Sequence, residues 1–465
     1  PYEQSRPLHT QVDEYRSMVF SLLPDGRIVA YSLDSGAILE ERHLFPDRRI
    51  TAVSFSLTSS DAILGFDNGD VVFGDLTFKT GFLDLEEVDD TVASLSMGET
   101  GRIGNSMVQR ISRDQFRTQR LSVSFAEPVR GESRSPVRLI DQITDGSDRV
   151  YVVFHEDRTF RLVRAEEREN MLTGERTVST ESASLPFIAA DRKDLPAFLT
   201  LAGLGDSASI AWPDGTLVRY NTRDFDRPYI QEVVDLVEDP DETLTVLRFL
   251  LGRTTLLTGD SAGTVRAWFP ARTSSVVPGS DEDHLRLVTA HEFKGDSAVT
   301  AIASSSRMRV IGVGREDGSA DILHVTSHKK LGALEPSTAR GPVLSMMFAP
   351  KDDAVLAGYR DAVARWDVDP GHPETTFGSL LLPVWYEGAS APEHVWQSSA
   401  ATDDFEPKFG LIPLIFGTLK ATIYSLLFGV PIALMAAVFT SEFLTPRIRS
   451  RVKPVVELMA SLPSV

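Results

Sequence analysis

Histidine is a common catalytic and metal-binding residue, and the nine histidines of this sequence are scattered along the chain. Only His324 and His328 have the spacing His-x-x-x-His, and they lack the glutamate of a His-Glu-x-x-His zinc hydrolase. Both lie on a predicted strand, where four residues span about 13 Å, too far for two rings to share one metal ion. We therefore predict no metal site at this pair.

Two histidine and carboxylate groups, His155-Glu156-Asp157 and His291-Glu292, contain the residue types of general acid and base pairs. Each group lies at a predicted strand end or turn, where polar residues are expected for structural reasons. The structural role is favoured in both cases. We therefore predict no catalytic residues at these groups.

Two glycine-rich segments, 259–263 and 314–318, resemble phosphate-binding loops in composition only. Neither is followed by Lys-Ser or Lys-Thr or opens a helix, so both are predicted hairpin turns, as is Asp34-Ser35-Gly36. The acidic residues in 86–90 lack the spaced ligands of a calcium loop and are expected to form a solvated face.

The chain contains no cysteine, which excludes disulfides, thiolate chemistry and cysteine-ligated metals. No cofactor site is predicted.

The charge is unevenly distributed along the chain. The formal net charge is −19, and residues 408–465 carry +4, so residues 1–407 carry −23. Nucleic acid is bound by clustered lysine and arginine side chains. An acidic body of this size therefore argues against nucleic-acid binding.

Short strands and tight turns form a repeat along most of the sequence. An apolar strand, a tight turn and a second strand recur from residue 18 to 368, as in 18–22, Asp25-Gly26 and 28–31. Successive turns, at positions 26, 69, 157, 215, 263, 318 and 361, lie 43 to 58 residues apart, with one gap of 88. A four-stranded WD-type blade takes about 40 to 45 residues.

The long gap contains a weaker copy of the repeat, with 92–95 as a strand, 113–115 as a turn and 116–121 as the next strand. The sequence therefore predicts a mainly β chain with a WD40-like β-propeller of seven or eight blades. A closed ring removes exposed sheet edges. In this interpretation the first repeat lacks an inner strand. We therefore expect another segment to supply the strand that closes the ring, with residues 375–382 as the candidate.

The Trp-Asp pair typical of WD40 repeats occurs once, at Trp366-Asp367, and Gly371-His372 follows that pair instead of opening a blade. The fold prediction therefore depends on the periodicity. A propeller is usually a binding platform, and the fold by itself does not select a function.

A membrane-spanning helix is predicted near the C-terminus. Residues 421–440 contain no charge, and about twenty such residues cross a bilayer. The apolar character extends back to residue 411, and a helix over 411–443 is about 50 Å long, so we expect it to tilt, kink or break. Pro431, Pro413 and Gly417 are the candidate break points, with 411–419 at the interface and Lys420 near the outer boundary.

Charged and aromatic residues flank this span. Basic residues follow it and acidic residues precede it, which predicts a cytoplasmic tail and a propeller on the outside. The basic residues are Arg447, Arg449, Arg451 and Lys453, and the acidic ones are Asp403, Asp404 and Glu406. Trp385, Tyr386 and Trp396 fit either an interfacial aromatic belt or packing against the propeller.

The C-terminal part resembles the phosphate-transport permeases of the type I ABC importer class. The similar residues are 409–419 (Phe-Gly-Leu-Ile-Pro-Leu-Ile-Phe-Gly-Thr-Leu), 430–433 (Val-Pro-Ile-Ala), 441–442 and 453–465. Upstream, 385–388 and 396–399 resemble a subgroup with a large periplasmic insertion between its first two spans.

The resemblance implies a subunit of the bacterial inner membrane that crosses it several times, with spans before Pro1 and after Val465. It implies three protein partners: a second permease subunit, a cytoplasmic ATP-binding subunit and a periplasmic phosphate-binding protein. The predicted span adds membrane lipid as a further partner. ATP hydrolysis belongs to a partner, so the resemblance implies that the chain is not an enzyme, and no catalytic or transport-pathway residues are assigned. The expected segments are a linker at 1–14, the propeller at 15–370, a juxtamembrane segment at 371–407, the span at 408–444 and a cytoplasmic segment at 445–465.

Two other functions remain open at this point. The chain could be a membrane-anchored propeller that scaffolds an envelope complex without transport, or a propeller enzyme with carboxylates around the channel. For a permease, the charge near −23 repels phosphate, since charged surfaces attract ligands of opposite sign. We therefore expect the propeller to dock a protein partner or to regulate access.

Overall fold

Short apolar strands joined by tight turns make up most of the chain. The computed structural model describes residues 7–145, 148–169, 176–188, 192–272, 285–335, 341–360, 362–399 and 406–461. The chain divides into two compact units. The first comprises Pro1–Glu374, Trp385–Pro392 and Ser399–Glu406, and the second comprises Thr375–Val384, Glu393–Ser398 and Pro407–Val465.

The described residues of the first unit form seven consecutive antiparallel sheets. The first sheet contains β1 (His9–Val12), β2 (Met18–Leu22), β3 (Arg27–Ser32) and β4 (Ile38–His43). The second contains β5 (Ile50–Phe55), β6 (Asp61–Phe66), β7 (Val71–Asp84), β8 (Thr100–Ile103), β9 (Ser106–Arg110) and β10 (Gln115–Phe125). The third contains β11 (Val137–Asp145), β12 (Asp148–His155), β13 (Phe160–Glu169) and β14 (Arg176–Ser184).

The remaining four sheets follow in the same order along the chain. The fourth contains β15 (Phe198–Leu201), β16 (Ser207–Ala211), β17 (Thr216–Asn221) and β18 (Tyr229–Asp235). The fifth contains β19 (Leu244–Phe249), β20 (Leu256–Asp260), β21 (Val265–Arg272) and β22 (Leu285–Phe293). The sixth contains β23 (Val299–Ser304), β24 (Val310–Arg315), β25 (Ala320–His324) and β26 (Lys329–Leu334). The seventh contains β27 (Ser345–Phe348), β28 (Ala354–Gly358) and β29 (Val363–Asp367).

Each sheet packs face to face on the next through a buried apolar cluster. Trp212 of the fourth sheet, for example, packs with Phe154 of the third. The last cluster joins Val12 of the first sheet to Ala354 and Leu356 of the seventh, so the sheets close into a ring. Closure leaves each sheet with two packed faces, which is the arrangement of a β-propeller. The prediction of a mainly β propeller is therefore confirmed, and of the seven or eight blades expected, the described residues form seven.

The predicted eighth unit is not a separate blade. Residues 92–95, expected as its first strand, include the end of a short helix, α1 (Asp90–Ala93). The strand β10 pairs along β7, from Gln115 opposite Asp84 to Phe125 opposite Gly74. Because β7 is 14 residues long, it extends beyond the blade, and β8 to β10 widen the second sheet to six strands. This insertion accounts for the gap of 88 residues between turns.

Ring closure also differs from the prediction. The first sheet has its own inner strand, β1, within the residues assigned to a linker at 1–14, and His9 pairs with Leu22. The expectation that residues 375–382 lend a strand is wrong, since that segment contains the helix α2 (Phe377–Leu381). In the part of the chain that the structure describes, the seventh sheet closes the ring with three strands. The predicted turn at Asp361 lies outside the described residues.

The turns that join the strands use glycine where the backbone requires it. Gly69, between β6 and β7, has φ of +83°, and a Cβ at this position would lie 2.2 Å from the carbonyl oxygen of Ser133. Gly263 in the predicted 259–263 hairpin and Gly318 in 314–318 also have positive φ, as does Gly36. These segments are hairpin turns, as predicted.

The second unit is small and mainly helical. Besides α2 it contains a two-stranded sheet, β30 (Trp396–Gln397) with β31 (Lys408–Phe409), and the helices α3 (Ile412–Val438) and α4 (Pro446–Ser461). A π-helical turn, Phe439–Phe443, extends α3. The amide of Leu411 donates to the carbonyl of Leu380 at 2.8 Å, which joins α2 to the start of α3.

Candidate membrane segment and propeller anchor

The helix over Ile412–Phe443 is long and apolar enough to cross a membrane, by length and composition. Its side chains are exposed on all sides in the structure, and large apolar residues such as Leu427 and Phe428 face outward. A helix that is apolar all round and unburied lacks the polar face of a soluble surface helix. A lipid environment satisfies this composition, as the sequence predicted.

Hydroxyl groups on this helix hydrogen-bond within it. The Thr418 hydroxyl donates to the Leu414 carbonyl at 2.9 Å, and the Thr422 hydroxyl donates to the Thr418 carbonyl at 2.8 Å. In hydrocarbon an unpaired polar group is costly, so this internal pairing suits a membrane-spanning helix.

The helix is continuous through Pro413, Gly417 and Pro431, so of the three expected outcomes, a tilt, a kink or a break, the break is not observed. Of residues 411–419, predicted to lie at the interface, 412–419 belong to α3. Pro413 lies in the first turn of α3, where a backbone N–H has no helical partner, so this proline does not interrupt the helix. Lys420 lies on the same helix, with Nζ 5.7 Å from the centre of the Tyr424 ring.

The basic residues after the span lie on α4, a helix that the sequence reading missed. Arg447, Arg449, Arg451 and Lys453 all belong to it. The signal that could have revealed this helix is Pro446, since proline is favoured at the first helical position. Residues 462–465, which complete the resemblance to permeases, lie outside the described residues.

The acidic residues before the span have different positions. Asp403 and Asp404 lie outside the described residues. Glu406 belongs to the first unit, where it is 7% exposed. It is therefore part of a buried cluster on the propeller and not a solvated charge that flanks the span, which corrects one of the three predicted acidic flanking residues.

That cluster attaches the segment Trp385–Pro392, here called the anchor segment, to the propeller. Arg309, in the loop between β23 and β24, donates to the Glu387 carboxylate at 2.6 Å. Its Nε lies 3.7 Å from the Glu406 carboxylate. Thr255 also donates to Glu387, and Thr326 donates to Glu406. Charged groups with several hydrogen-bond partners are the usual form of a buried ion cluster.

Aromatic packing continues the attachment. The indole of Trp385 meets Phe269 edge to face at 5.9 Å, and Tyr386 is 2% exposed. Of the two roles predicted for these residues, packing against the propeller is therefore the one observed for Trp385. Trp396 belongs to the second unit, where it meets Phe409 at 5.6 Å.

Two histidines beside the anchor segment are neutral at ordinary pH. Burial lowers the pKa of His291 to about 4, although its Nε2 lies 3.2 Å from the Trp385 carbonyl. Burial, together with the nearby Arg309 guanidinium, lowers the pKa of His324 to about 4. Desolvation penalises the charged imidazolium, which is the cause in both cases.

The predicted histidine pair is split. His324 ends β25 and its Nδ1 lies 2.7 Å from the Ser327 hydroxyl. His328, expected on the same strand, lies in the following turn at φ +51°, with Nε2 2.6 Å from the Glu292 carbonyl. The two rings therefore make separate structural contacts. No group of three or more metal-ligating side chains occurs among the described residues.

The other candidate groups also make structural contacts. His155 ends β12, with Nδ1 2.9 Å from the Ser135 carbonyl, and Asp157 in the next turn accepts from the Ser133 hydroxyl at 2.7 Å. In the acidic segment 86–90, Asp89 caps α1 by accepting from the Val92 amide at 2.9 Å. These contacts match the turn and cap preferences of the residues.

Comparison with known proteins gives two separate similarities. No family model matches the chain. A probable ABC transporter permease protein, YqgH of Bacillus subtilis (strain 168), is 33% identical over 78 residues, which is 17% of this chain. The match spans a quarter of the length of that curated relative, 25%.

Solved structures similar to this chain include a β-propeller domain and WD40 repeats. The Cps50 (Swd1) β-propeller domain of Myceliophthora thermophila covers 79% of this chain and 97% of its own length, with 14% identity and a TM-score of 0.48. The Sqt1 protein of Chaetomium thermophilum covers 79% and 86%, with 11% identity and a TM-score of 0.45. Because these TM-scores are below 0.5, the propeller fold is assigned from the seven packed sheets. The chain thus combines a WD40-like propeller with a helix able to span a membrane and a short similarity to an ABC permease.

Proposed function

We propose that the chain is part of an ABC transporter permease subunit that takes part in ATP-driven phosphate import across the bacterial inner membrane. The observation that carries the proposal is the apolar helix Ile412–Phe443, together with the 78-residue similarity to a permease. The phosphate specificity comes from the resemblance of residues 409–419 and 453–465 to phosphate permeases. In this proposal the chain is not an enzyme, and a partner subunit hydrolyses ATP.

The proposed partners follow from the same class of transporter. They are a second permease subunit, a cytoplasmic ATP-binding subunit, a periplasmic phosphate-binding protein and membrane lipid. The basic residues of α4, Arg447 to Lys453, support a cytoplasmic position for that helix, because short cytoplasmic segments are enriched in lysine and arginine. The propeller is then periplasmic.

The propeller is proposed to act as a protein-interaction or regulatory domain. Residues 1–407 carry a net charge of −23, which disfavours a role in gathering phosphate. The chemically distinctive groups of the propeller, such as Arg309 and His155, are engaged in structural contacts. An acidic surface of this kind is better suited to a basic face of a partner protein.

Phosphate uptake by the full-length permease tests the proposal. Deletion of residues 9–367, the extent of the seven sheets, should reduce uptake or weaken binding of the phosphate-binding protein, while the permease remains in the membrane. Unchanged uptake together with unchanged binding-protein affinity contradicts the role of the propeller.

A separate measurement tests transport itself. Co-purification of the full-length protein with an ATPase and a second permease supports the transporter. Purification without either, and without phosphate uptake, supports a membrane-anchored propeller scaffold instead.

A further inference from the structure

A cavity of about 140 Å³ lies where the ring closes. Its walls come from three sheets: Tyr15 and Asp34 from the first, Gln109 and Arg117 from the second and Arg365 from the seventh. The insertion β8 to β10, which widens the second sheet, supplies a large part of the lining. The cavity is therefore a product of this insertion and of ring closure.

Arg117 is the central charged group of the cavity. Its guanidinium carbon stacks 3.4 Å from the centre of the Tyr15 ring, and one of its terminal nitrogens donates to the Gln109 side chain. Its Nε is buried and has no hydrogen-bond partner. The partners that the described residues give Arg117 are thus an aromatic ring and an amide, and no carboxylate. A guanidinium group without an anionic partner is stabilised when a ligand in contact with it supplies negatively charged oxygens.

The cavity is locally positive within an acidic unit. Three arginines line it, Arg16, Arg117 and Arg365, against one carboxylate, Asp34, which is exposed. Arg16 is largely neutralised, since it donates to Asp367 at 2.6 Å. Arg365 makes a longer contact with the same carboxylate, at 3.9 Å, and its side chain is 44% exposed. The guanidinium groups of Arg117 and Arg365 therefore keep hydrogen-bond donors for a ligand in the cavity.

We infer that this cavity binds a small oxyanion such as inorganic sulfate or phosphate. A guanidinium group presents parallel donors that match the oxygens of such anions. The volume of about 140 Å³ is well below that of a pocket for a drug-sized ligand and suits a small ion. Bound there, the anion contacts the second and seventh sheets through Arg117 and Arg365 and stabilises the closed ring. This role is independent of the proposed transport.

Thermal unfolding of the full chain in detergent, with sulfate, phosphate or chloride at equal ionic strength, tests the inference. We expect sulfate or phosphate to raise the unfolding temperature relative to chloride. Titration calorimetry should show saturable binding that weakens about tenfold or more in Arg117→Gln, as expected for loss of a charge-assisted hydrogen bond. Arg365→Gln provides a second variant in case Arg117→Gln does not fold.

The matched controls separate this site from general charge effects. Arg117→Lys keeps the charge but loses the planar fork, so binding should be intermediate. Arg227→Gln removes an exposed arginine outside the cavity and should leave binding unchanged. Equal effects of sulfate and chloride on wild type, or equal weakening in Arg227→Gln and Arg117→Gln, overturn the inference.

Discussion

Arg309 and Glu387 are 78 positions apart in the sequence and form an ion pair at 2.6 Å, with both side chains largely shielded from water. The pair joins the sixth sheet to the anchor segment, Trp385–Pro392. Glu406 adds a second carboxylate, so one cation faces two buried acids. The hydroxyls of Thr255 and Thr326 donate to these acids and offset part of the free-energy cost of burying their charges. The attachment therefore depends on the ion pair and on the two hydroxyl donors together.

Removal of the cation should release the anchor segment. We expect Arg309→Met to destabilise the first unit by about 3 to 5 kcal/mol, because it leaves two largely buried carboxylates without a cation to balance their charge. Thermal unfolding and limited proteolysis near residue 390 measure the effect. The double variant Arg309→Met/Glu387→Met should recover part of the loss, since it also removes one acid. A double variant no more stable than the single one contradicts this account, and Arg227→Met serves as the exposed control.

Gly69 should tolerate no side chain. We expect Gly69→Ala to destabilise the propeller by about 2 kcal/mol or more, because φ is +83° and the new Cβ meets the Ser133 carbonyl oxygen at 2.2 Å. Gly36→Ala is the matched control, with φ +68° and no atom within 4 Å of the added Cβ, and should cost about 1 kcal/mol. Chemical denaturation compares the two, and equal losses would show that the close approach at Gly69 has no effect.

Acid should destabilise the propeller through its buried histidines. The pKa of His324 falls from 6.5 to about 4 on folding, so the unfolded chain binds the proton more tightly. The contribution to stability is complete above pH 6.5 and is lost as the pH falls from 6.5 to 4, by up to about 3 kcal/mol. Unfolding temperatures measured from pH 7.5 to 4.5 should fall less in His324→Asn than in wild type. His372, whose side chain is 84% exposed, supplies the control His372→Asn.

The sequence predicted the propeller because its turns are local signals. Pairs such as Asn68-Gly69 mark a hairpin within a few residues, and their spacing gives the blades. The strand β1 was missed because His9–Val12 contains a single apolar residue, Val12. The Arg309 and Glu387 pair was beyond prediction, since nothing near either residue indicates a partner 78 positions away. Local patterns thus predicted the elements, and contacts between distant segments required the structure.

The two ends of the apolar helix should lie on opposite sides of a membrane. The chain contains no cysteine, so single-cysteine variants can report the side without background. We expect Ser35→Cys, in an exposed turn of the propeller, to react with an impermeant thiol reagent added to the periplasmic side. Ser450→Cys on α4 should react only after the membrane is permeabilised. Labelling of both positions from the same side contradicts a single span between them.

A charge at the middle of the apolar helix should oppose membrane insertion. Leu427 lies near the centre of Ile412–Phe443 and its side chain is exposed. An aspartate at the centre of a membrane helix costs about 3 kcal/mol, so Leu427→Asp should shift the protein from the carbonate-resistant membrane fraction to the soluble fraction or to aggregates. Leu204→Asp, at a leucine that is 86% exposed on the propeller, adds the same charge outside the helix and should leave the membrane fraction unchanged. Equal distributions of the two variants would mean that lipid does not surround this helix, and the permease proposal would lose its main support.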